Sequence, residues 1–356
     1  MLKSGCPFSV ESKMQYKVTI GIPVFKVVDY IRNTIESALA QTFPSIEYLI
    51  IDDCGKDGSM DIVEKMKIEH PRGHDIRIVY HDHNYGVSKS RNRIINEARG
   101  KYLFFLDSDD IIEPETIQIM VDNLEKNQAE IVYGSLEKND LIHNTATQLF
   151  VLPNIVMRSE DEMAFYAFAN YDSFQISVCN CLMDIGFLRK NNLRFIDTSF
   201  WEDLAFTYDM VVKVKRAVLL SDITYHYLCH TGSLSHYQER GVIPKDEIQK
   251  NISTIDYLKR KCGNMKDKTY LPYLCYALEM NSFYILSHII NNSNKVVPSF
   301  SNNELRQILC HPLCFLDILK FSRKRIPNIV LFMFGHIPKP FFVPFIWLSV
   351  KLKSIV

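Results

Sequence analysis

Tyr102-Leu103-Phe104-Phe105-Leu106-Asp107-Ser108-Asp109-Asp110 is the stretch from which the rest of the chain is read. Five apolar residues in a row, too few for a buried helix, predict a strand covered on both faces. Four polar residues, three of them acids, end it abruptly. Carboxylates crowded at the end of a buried strand raise one another's pKa unless something cationic joins them. Asp107 and Asp109 stand two apart and can share one divalent ion, directly or through water. Mg²⁺ or Mn²⁺ takes such oxygen donors and bridges them to substrate phosphates. The competing explanation is capping of a helix that starts at Pro114. Asp110 and Glu113 suit that role, so Asp107 and Asp109 need another.

Outward from this strand, the first half of the chain alternates strand and helix. Strands are predicted at 18–22, 48–51, 76–80, 102–106 and 130–133. Helices are predicted from the Asp29 cap onward, at 60–69, from Gly86 to about Ala98, and at 114–125. Apolar runs alternating with amphipathic helices predict a parallel sheet covered on both faces. Ligands of such sheets bind at the carboxyl ends of the strands. Those ends carry Pro23, Asp52-Asp53, His81-Asp82 and Asp107-Ser108-Asp109. The pattern loosens into shorter elements over 155–235. From Lys245 it is helical, with Ile248, Ile252, Ile255 and Leu258 on one face.

The composition agrees with a large globular chain. Its 356 residues are 47% hydrophobic and 23% charged, which excludes a disordered chain, a collagen-like repeat and a coiled coil. This length suggests about two structural units. Lys+Arg and Asp+Glu number 41 each, so the net charge is zero and a general nucleic-acid binder is excluded. The zero hides an asymmetry. Residues 318–356 hold no Asp or Glu but seven cations: Lys320, Arg323, Lys324, Arg325, Lys339, Lys351 and Lys353. Nine cysteines without a CxxC pair read as reduced thiols of a cytosolic protein. Cys310, His311 and Cys314 imitate a metal cluster, but Pro312 breaks the segment and no second pair follows. Residues 1–16 are polar and lack the apolar core of a signal peptide.

Three further motifs carry chemistry. A carboxylate of Asp52-Asp53 can accept from a ribose hydroxyl or a base N–H, or it can form an Asx-turn with Gly55. No GxGxxG or Walker loop is present, so a nucleotide has to be held in another way. Asn84-x-Gly86-x-Ser88-x-Ser90-Arg91-Asn92 opens a helix. Its free N–H groups and the fixed Arg91 cation suit a diphosphate or a neighbouring carboxylate. In Trp201-Glu202-Asp203-Leu204, adjacent acids lie beside apolar residues that raise a carboxylate pKa and improve it as a base. Taken alone, that motif is equally a helix N-terminus with acids facing water.

In their order and spacing these motifs resemble the inverting nucleotide-diphospho-sugar glycosyltransferases of family 2. The resemblance runs from about Val18 to Ser235 and includes Ile20-x-Ile22-Pro23-Val24-Phe25 and Ala40-Gln41-Thr42-Phe43. It implies an α/β GT-A domain, Rossmann-like, with a mostly helical C-terminal extension. It also implies roles. The Pro23 and Val24 backbone and Asp52-Asp53 hold the nucleotide, most often uridine, and Arg91 steadies the nucleotide end and the metal-site acids. Asp107 faces the ribose or a phosphate-bound ion, Ser108 belongs to the nucleotide-sugar site, Asp109 ligates Mn²⁺ or Mg²⁺, and Asp203 is the general base with Glu202 beside it. His226 is the candidate for a second metal ligand, or else a structural histidine. The sequence departs from the family at Leu228, where an Arg is usual, and at Cys181, where a Lys is common. The implied partners are a nucleotide-diphospho-sugar donor and a glycan or lipid-linked glycan acceptor, with no nucleic acid.

The end of the chain is apolar and basic. Pro327 to Trp347 is interrupted by Gly335, Pro338, Pro340 and Pro344, so no run reaches the ~20 residues needed to span a bilayer. It reads as a segment lying on a membrane, or as a hairpin packed on the catalytic domain. The expected division is an N-terminal tail at 1–16, a GT-A domain at 17–236, a helical extension at 237–325 and a basic apolar tail at 326–356. The expected location is cytoplasmic, peripheral on the inner face of the plasma membrane. Two other classes compete: an NAD- or ATP-using α/β enzyme, which lacks its glycine loop here, and a non-catalytic protein that keeps the fold.

Overall fold

The computed structural model describes residues 15–142, 147–170, 177–198, 201–230 and 241–353. Its strands are β1 (Tyr16–Val24), β2 (Ile46–Asp52), β3 (Ile76–Tyr80), β4 (Gly100–Phe105), β5 (Ile111–Ile112), β6 (Ile131–Asp140), β7 (Gln148–Phe150), β8 (Ile155–Met157), β9 (Cys181–Asp184), β10 (Ala217–Cys229), β11 (Ile243–Pro244) and β12 (Val296–Val297). The helices of the first half are α1 (Ile31–Leu39), α2 (Ser59–Glu69), α3 (Val87–Glu97), α4 (Thr116–Lys126), α5 (Glu162–Ala169), α6 (Ile185–Lys190) and α7 (Glu202–Val211). Those of the second half are α8 (Lys245–Lys261), α9 (Leu271–Asn291), α10 (Asn302–Ile308), α11 (Phe315–Leu319), α12 (Arg325–Gly335) and α13 (Lys339–Lys353).

The main sheet runs β3-β2-β1-β4-β9-β6-β10-β5, with β7 added to β6 and β8 to β10. β3, β2, β1 and β4 are parallel, as strands joined by crossover helices must be. Their residues Ile20, Ile22, Leu49, Ile50, Leu103 and Phe104 are buried, because helices cover both faces. The strands expected in the first half all run the same way, and shorter antiparallel strands join them. Among these, the four-residue β9 lies antiparallel between β4 and β6, with Leu182 opposite Phe104 on one side and Val132 on the other. A strand that short leaves too little alternation to be seen in the sequence. Asn180, at φ 59° just before it, turns the chain into the sheet.

The helical half continues the same hydrophobic core. The expected face of α8, with Ile248, Ile252, Ile255 and Leu258, is buried, and α8 lies against α9. Lys259 Nζ lies 2.6 Å from Glu279 Oε1 and donates to the carbonyls of Ile308 and Cys310, so one buried cation ties α8 to α9 and to the end of α10. Asp209 of α7 accepts from Tyr257 and Lys261 of α8, which joins the two halves. The expected boundary at 236–237 lies outside the described residues. Pro344 does not interrupt the last segment as expected: it lies inside α13, whose apolar contacts outlast one missing backbone hydrogen bond.

Candidate active site

Parallel pairing brings the carboxyl ends of β1, β2 and β4 to one edge, with Val24 opposite Asp52 and Gly21 opposite Phe105. Pro23 and Val24 therefore border Asp52 and Asp53, and the Val24 carbonyl accepts from the Asp53 N–H at 2.9 Å. The two acids differ. Asp53 is buried; its Oδ1 accepts from the Tyr85 N–H and faces His81 Nδ1, both at 2.8 Å, and its Oδ2 accepts from the Gly86 N–H at 2.8 Å. It organises the loop ahead of α3, where Gly86 takes φ 87°, a left-handed value that favours glycine. Asp52 is partly exposed and accepts from the Cys54 N–H through Oδ1, an Asx-type turn. The expected pair of nucleotide contacts thus separates into an inner organiser and an outer acid.

Arg91, on α3, is the hub. Its Nη2 donates to Asp107 Oδ1 at 2.8 Å and its Nη1 to Glu202 Oε1 at 2.7 Å. Its guanidinium is buried and lies 5.5 Å from the centre of the Phe195 ring. Burial alone would favour the neutral form, but the Asp107 and Glu202 carboxylates outweigh it and hold Arg91 well above its ordinary pKa. The same helix anchors the approach to α7: Ser88 Oγ donates to the Thr198 carbonyl, and Asn92 exchanges two hydrogen bonds with the Phe195 backbone. The Asn-x-Gly-x-Ser…Arg-Asn motif thereby fastens the Trp201-Glu202-Asp203 turn to the strand-end acids. Trp201 itself takes φ 59° at the start of α7.

Asp203 faces neither Arg91 nitrogen. Its Oδ1 accepts from the Leu204 N–H at 2.7 Å. Burial, together with the adjacent Glu202 carboxylate, pushes its pKa up from 3.8 to about 7, against the pull of Arg91 and the Leu204 N–H. A carboxylate with that proton affinity is matched to taking a proton near neutral pH.

At the other acids two side chains lie elsewhere than expected. Asp110 does not cap α4. It is buried, where its Oδ1 accepts from the Leu228 N–H and its Oδ2 from the Tyr225 hydroxyl, pinning β10 beneath the strand end. Burial and then Asp109 and Asp107 hold its carboxyl well above the usual range. His226 is not beside Asp109. Its Nε2 lies 2.6 Å from Glu113 and its Nδ1 2.9 Å from Glu137, so both nitrogens are engaged along β10. The histidine at the acid cluster is His230, with Nε2 2.9 Å from Asp109 Oδ2 and its ring stacked on Tyr30 at 3.8 Å. His226 lies within β10 and His230 just past its end, and sequence alone does not say which one reaches the acids.

Cys179 and Gln41 also belong to this region. The Cys179 thiol is hydrogen-bonded to Asp107, and burial first and then that acid raise its pKa well above the ordinary value. Gln41 donates to the Glu113 carbonyl and accepts from the Ile117 N–H, so it starts α4 where Asp110 was expected to. Ser108 is buried, with its carbonyl accepting from Thr34. Asp109 and His230, paired at 2.9 Å, offer carboxylate oxygens and an imidazole of the kind Mn²⁺ or Mg²⁺ takes, while Asp107 is held by Arg91. Among the described residues no group of three His, Cys, Asp or Glu stands placed to hold an ion by itself. An ion at Asp109 would depend on substrate phosphates for its remaining ligands.

Residues 19–166 match the model of glycosyl transferase family 2. The chain is 26% identical over 308 residues to the cholesterol galactosyltransferase of Borreliella burgdorferi, covering 83% of each. It is 28% identical over 239 residues to the Escherichia coli UDP-Glc:alpha-D-GlcNAc-diphosphoundecaprenol beta-1,3-glucosyltransferase WfaP, covering 66% of this chain and 86% of that one. The fold is that of Staphylococcus aureus TarS residues 1–349 solved with UDP-GlcNAc, with a TM-score of 0.56, 17% identity and 90% of each chain covered. With the motifs gathered at one sheet edge, these likenesses show a GT-A fold and support a glycosyltransferase similar to family 2 over residues 19–166.

Proposed function

We propose that this enzyme transfers a sugar from a nucleotide-diphospho-sugar, a UDP-sugar, to a hydroxyl of a glycan or lipid-linked glycan, with inversion at the anomeric carbon. The reading is carried by the bridge from Arg91 to both Asp107 and Glu202, which joins donor-side acids to the neighbour of Asp203. Pro23, Val24 and Asp52 border the nucleotide, while Asp53 supports them from behind. Asp107 and Ser108 face the ribose and phosphates. Asp109, with His230 against it, holds the Mn²⁺ or Mg²⁺, which when bound neutralises charge on the leaving diphosphate.

Asp203 is the general base. Its carboxylate takes the proton of the acceptor hydroxyl as that oxygen attacks the anomeric carbon. The bond to the diphosphate breaks on the opposite face, and its electron pair leaves with the phosphate oxygen. Arg91 is paired with Glu202 and leaves the acceptor proton to Asp203. Burial, and then the Glu202 carboxylate beside it, raise the Asp203 pKa to about 7, which suits a base near pH 7. The relatives' names support the donor and acceptor classes: WfaP is named for UDP-Glc and a diphosphoundecaprenol acceptor. Such an acceptor sets the enzyme at the cytoplasmic face of the plasma membrane. The test is UDP release across a panel of UDP-sugars with Mn²⁺ and Mg²⁺, for wild type and Asp203→Asn. Equal turnover by the two proteins removes Asp203 from this role.

A further inference from the structure

We propose that α11, α12 and α13 form a platform that seats the enzyme flat on an anionic lipid bilayer. α12 shows an outward stripe of Ile326, Val330 and Met333, and α13 one of Phe341, Phe345 and Leu348; each is spaced i, i+4, i+7. Ile326 is 75% exposed and Phe341 64%. The inward faces hold Leu331, Phe342 and Ile346, all buried. The helices adjoin one another: the Phe332 ring lies 5.5 Å from that of Phe315 on α11, and Phe334 5.2 Å from Phe345. These stripes are therefore left over after the core is complete. Contiguous exposed apolar surface on a soluble domain marks an interaction site.

Charge selects the partner. Residues 318–356 hold seven cations and no Asp or Glu. Lys320, Arg323, Lys324 and Arg325 stand between α11 and the start of α12, and the single acid of the three helices, Asp317, is already paired with Lys266 and Lys320. A second copy paired through the same surface would bring these like charges together, which opposes it. Anionic headgroups would meet them, and exposed Trp347 suits the headgroup layer. No helix among the described residues is long and apolar enough to cross a membrane, so the helices lie on the surface. The platform also lies close to the chemistry. On α9, Phe283 touches Phe334 of α12, with ring centres 6.2 Å apart, while the next residue, Tyr284, meets Trp201 at the start of α7, at 6.5 Å. One helix thus braces both the platform and the turn that carries Asp203.

The use of this surface rests on the lipid-linked acceptor proposed above, but the contact is tested without any substrate. Full-length protein is sedimented with phosphatidylcholine vesicles, with and without phosphatidylglycerol. The wild type is expected to bind the anionic vesicles, to release them as salt rises, and to bind pure phosphatidylcholine weakly. Phe341→Ser with Leu348→Ser, and separately Lys320→Glu with Lys324→Glu, are each expected to weaken binding by on the order of tenfold. Thermal melts, not activity, establish that the variants fold, so failure of the transferase reading leaves this test intact. No binding to anionic vesicles by wild type, or unchanged binding by both variants, overturns the proposal. So does a wild-type dimer in light scattering that Phe341→Ser dissociates while vesicle binding persists.

Discussion

Arg91 Nη1 donates to Glu202 Oε1 at 2.7 Å across 111 residues of sequence, and both groups are buried. The same guanidinium holds Asp107. Three motifs that are far apart in the chain thus meet on one cation, which bridges two acids that would otherwise repel each other.

Removing that cation leaves two carboxylates without their partner. Arg91→Met is expected to destabilise the fold by about 3–5 kcal/mol, the usual loss when one side of a buried pair is deleted. Arg91→Lys recovers only part of this, since one ammonium cannot reproduce two fork contacts. Denaturant melts of the three proteins check the order. Equal stability of Arg91→Met and wild type would falsify the hub.

Asp203→Asn is expected to lower transfer by about 10²–10⁴-fold while UDP binding stays as in wild type. Wild-type turnover should rise with pH and level off above about 7, where Asp203 has lost its proton. The stability effect has the opposite sense. Because the folded pKa is raised above 3.8, the native state holds a proton that the unfolded chain has lost, and stability falls as pH climbs from near 3.8 to about 7. Asn carries no such penalty, so the variant should melt higher than wild type above pH 7. Its advantage should vanish in acid. Melts recorded across that window decide it.

The two acids after β2 should separate cleanly. Asp53→Ala strands the Tyr85 and Gly86 N–H groups and the His81 ring, and should reduce stability by about 3 kcal/mol or more. Asp52→Ala loses one local bond, should stay within about 1 kcal/mol of wild type, and should weaken UDP binding. Calorimetry with UDP beside thermal melts distinguishes a nucleotide contact from a loop support.

His230 and His226 give a paired test of the reassigned histidine. His230→Ala should raise the Mn²⁺ concentration needed for turnover, because His230 lies against Asp109. His226→Ala should leave that requirement unchanged, since its nitrogens meet Glu113 and Glu137. Chelator should abolish turnover, and a manganese titration of the three proteins reads the difference.

Much of this was legible in the residues themselves. The runs at 18–22, 48–51 and 102–106 are buried on both faces, a pattern that covered parallel strands sustain, and acids at the strand ends mark a ligand edge whatever the fold's details. Local chemistry was enough there, because strand length and burial leave a periodic signature. It could not separate Asp52 from Asp53, or tell that Asp110 pins β10 instead of capping α4. Neighbouring acids have the same side chain, and only the donors that surround each one decide which supports a loop and which faces a ligand. The place of β9, the choice of His230 over His226, and the meeting of Arg91 with Glu202 all depend on contacts between residues distant in sequence. The packing of the sheet settles these, because a hydrogen bond over a few ångströms is set by where two backbones come together and not by either residue alone.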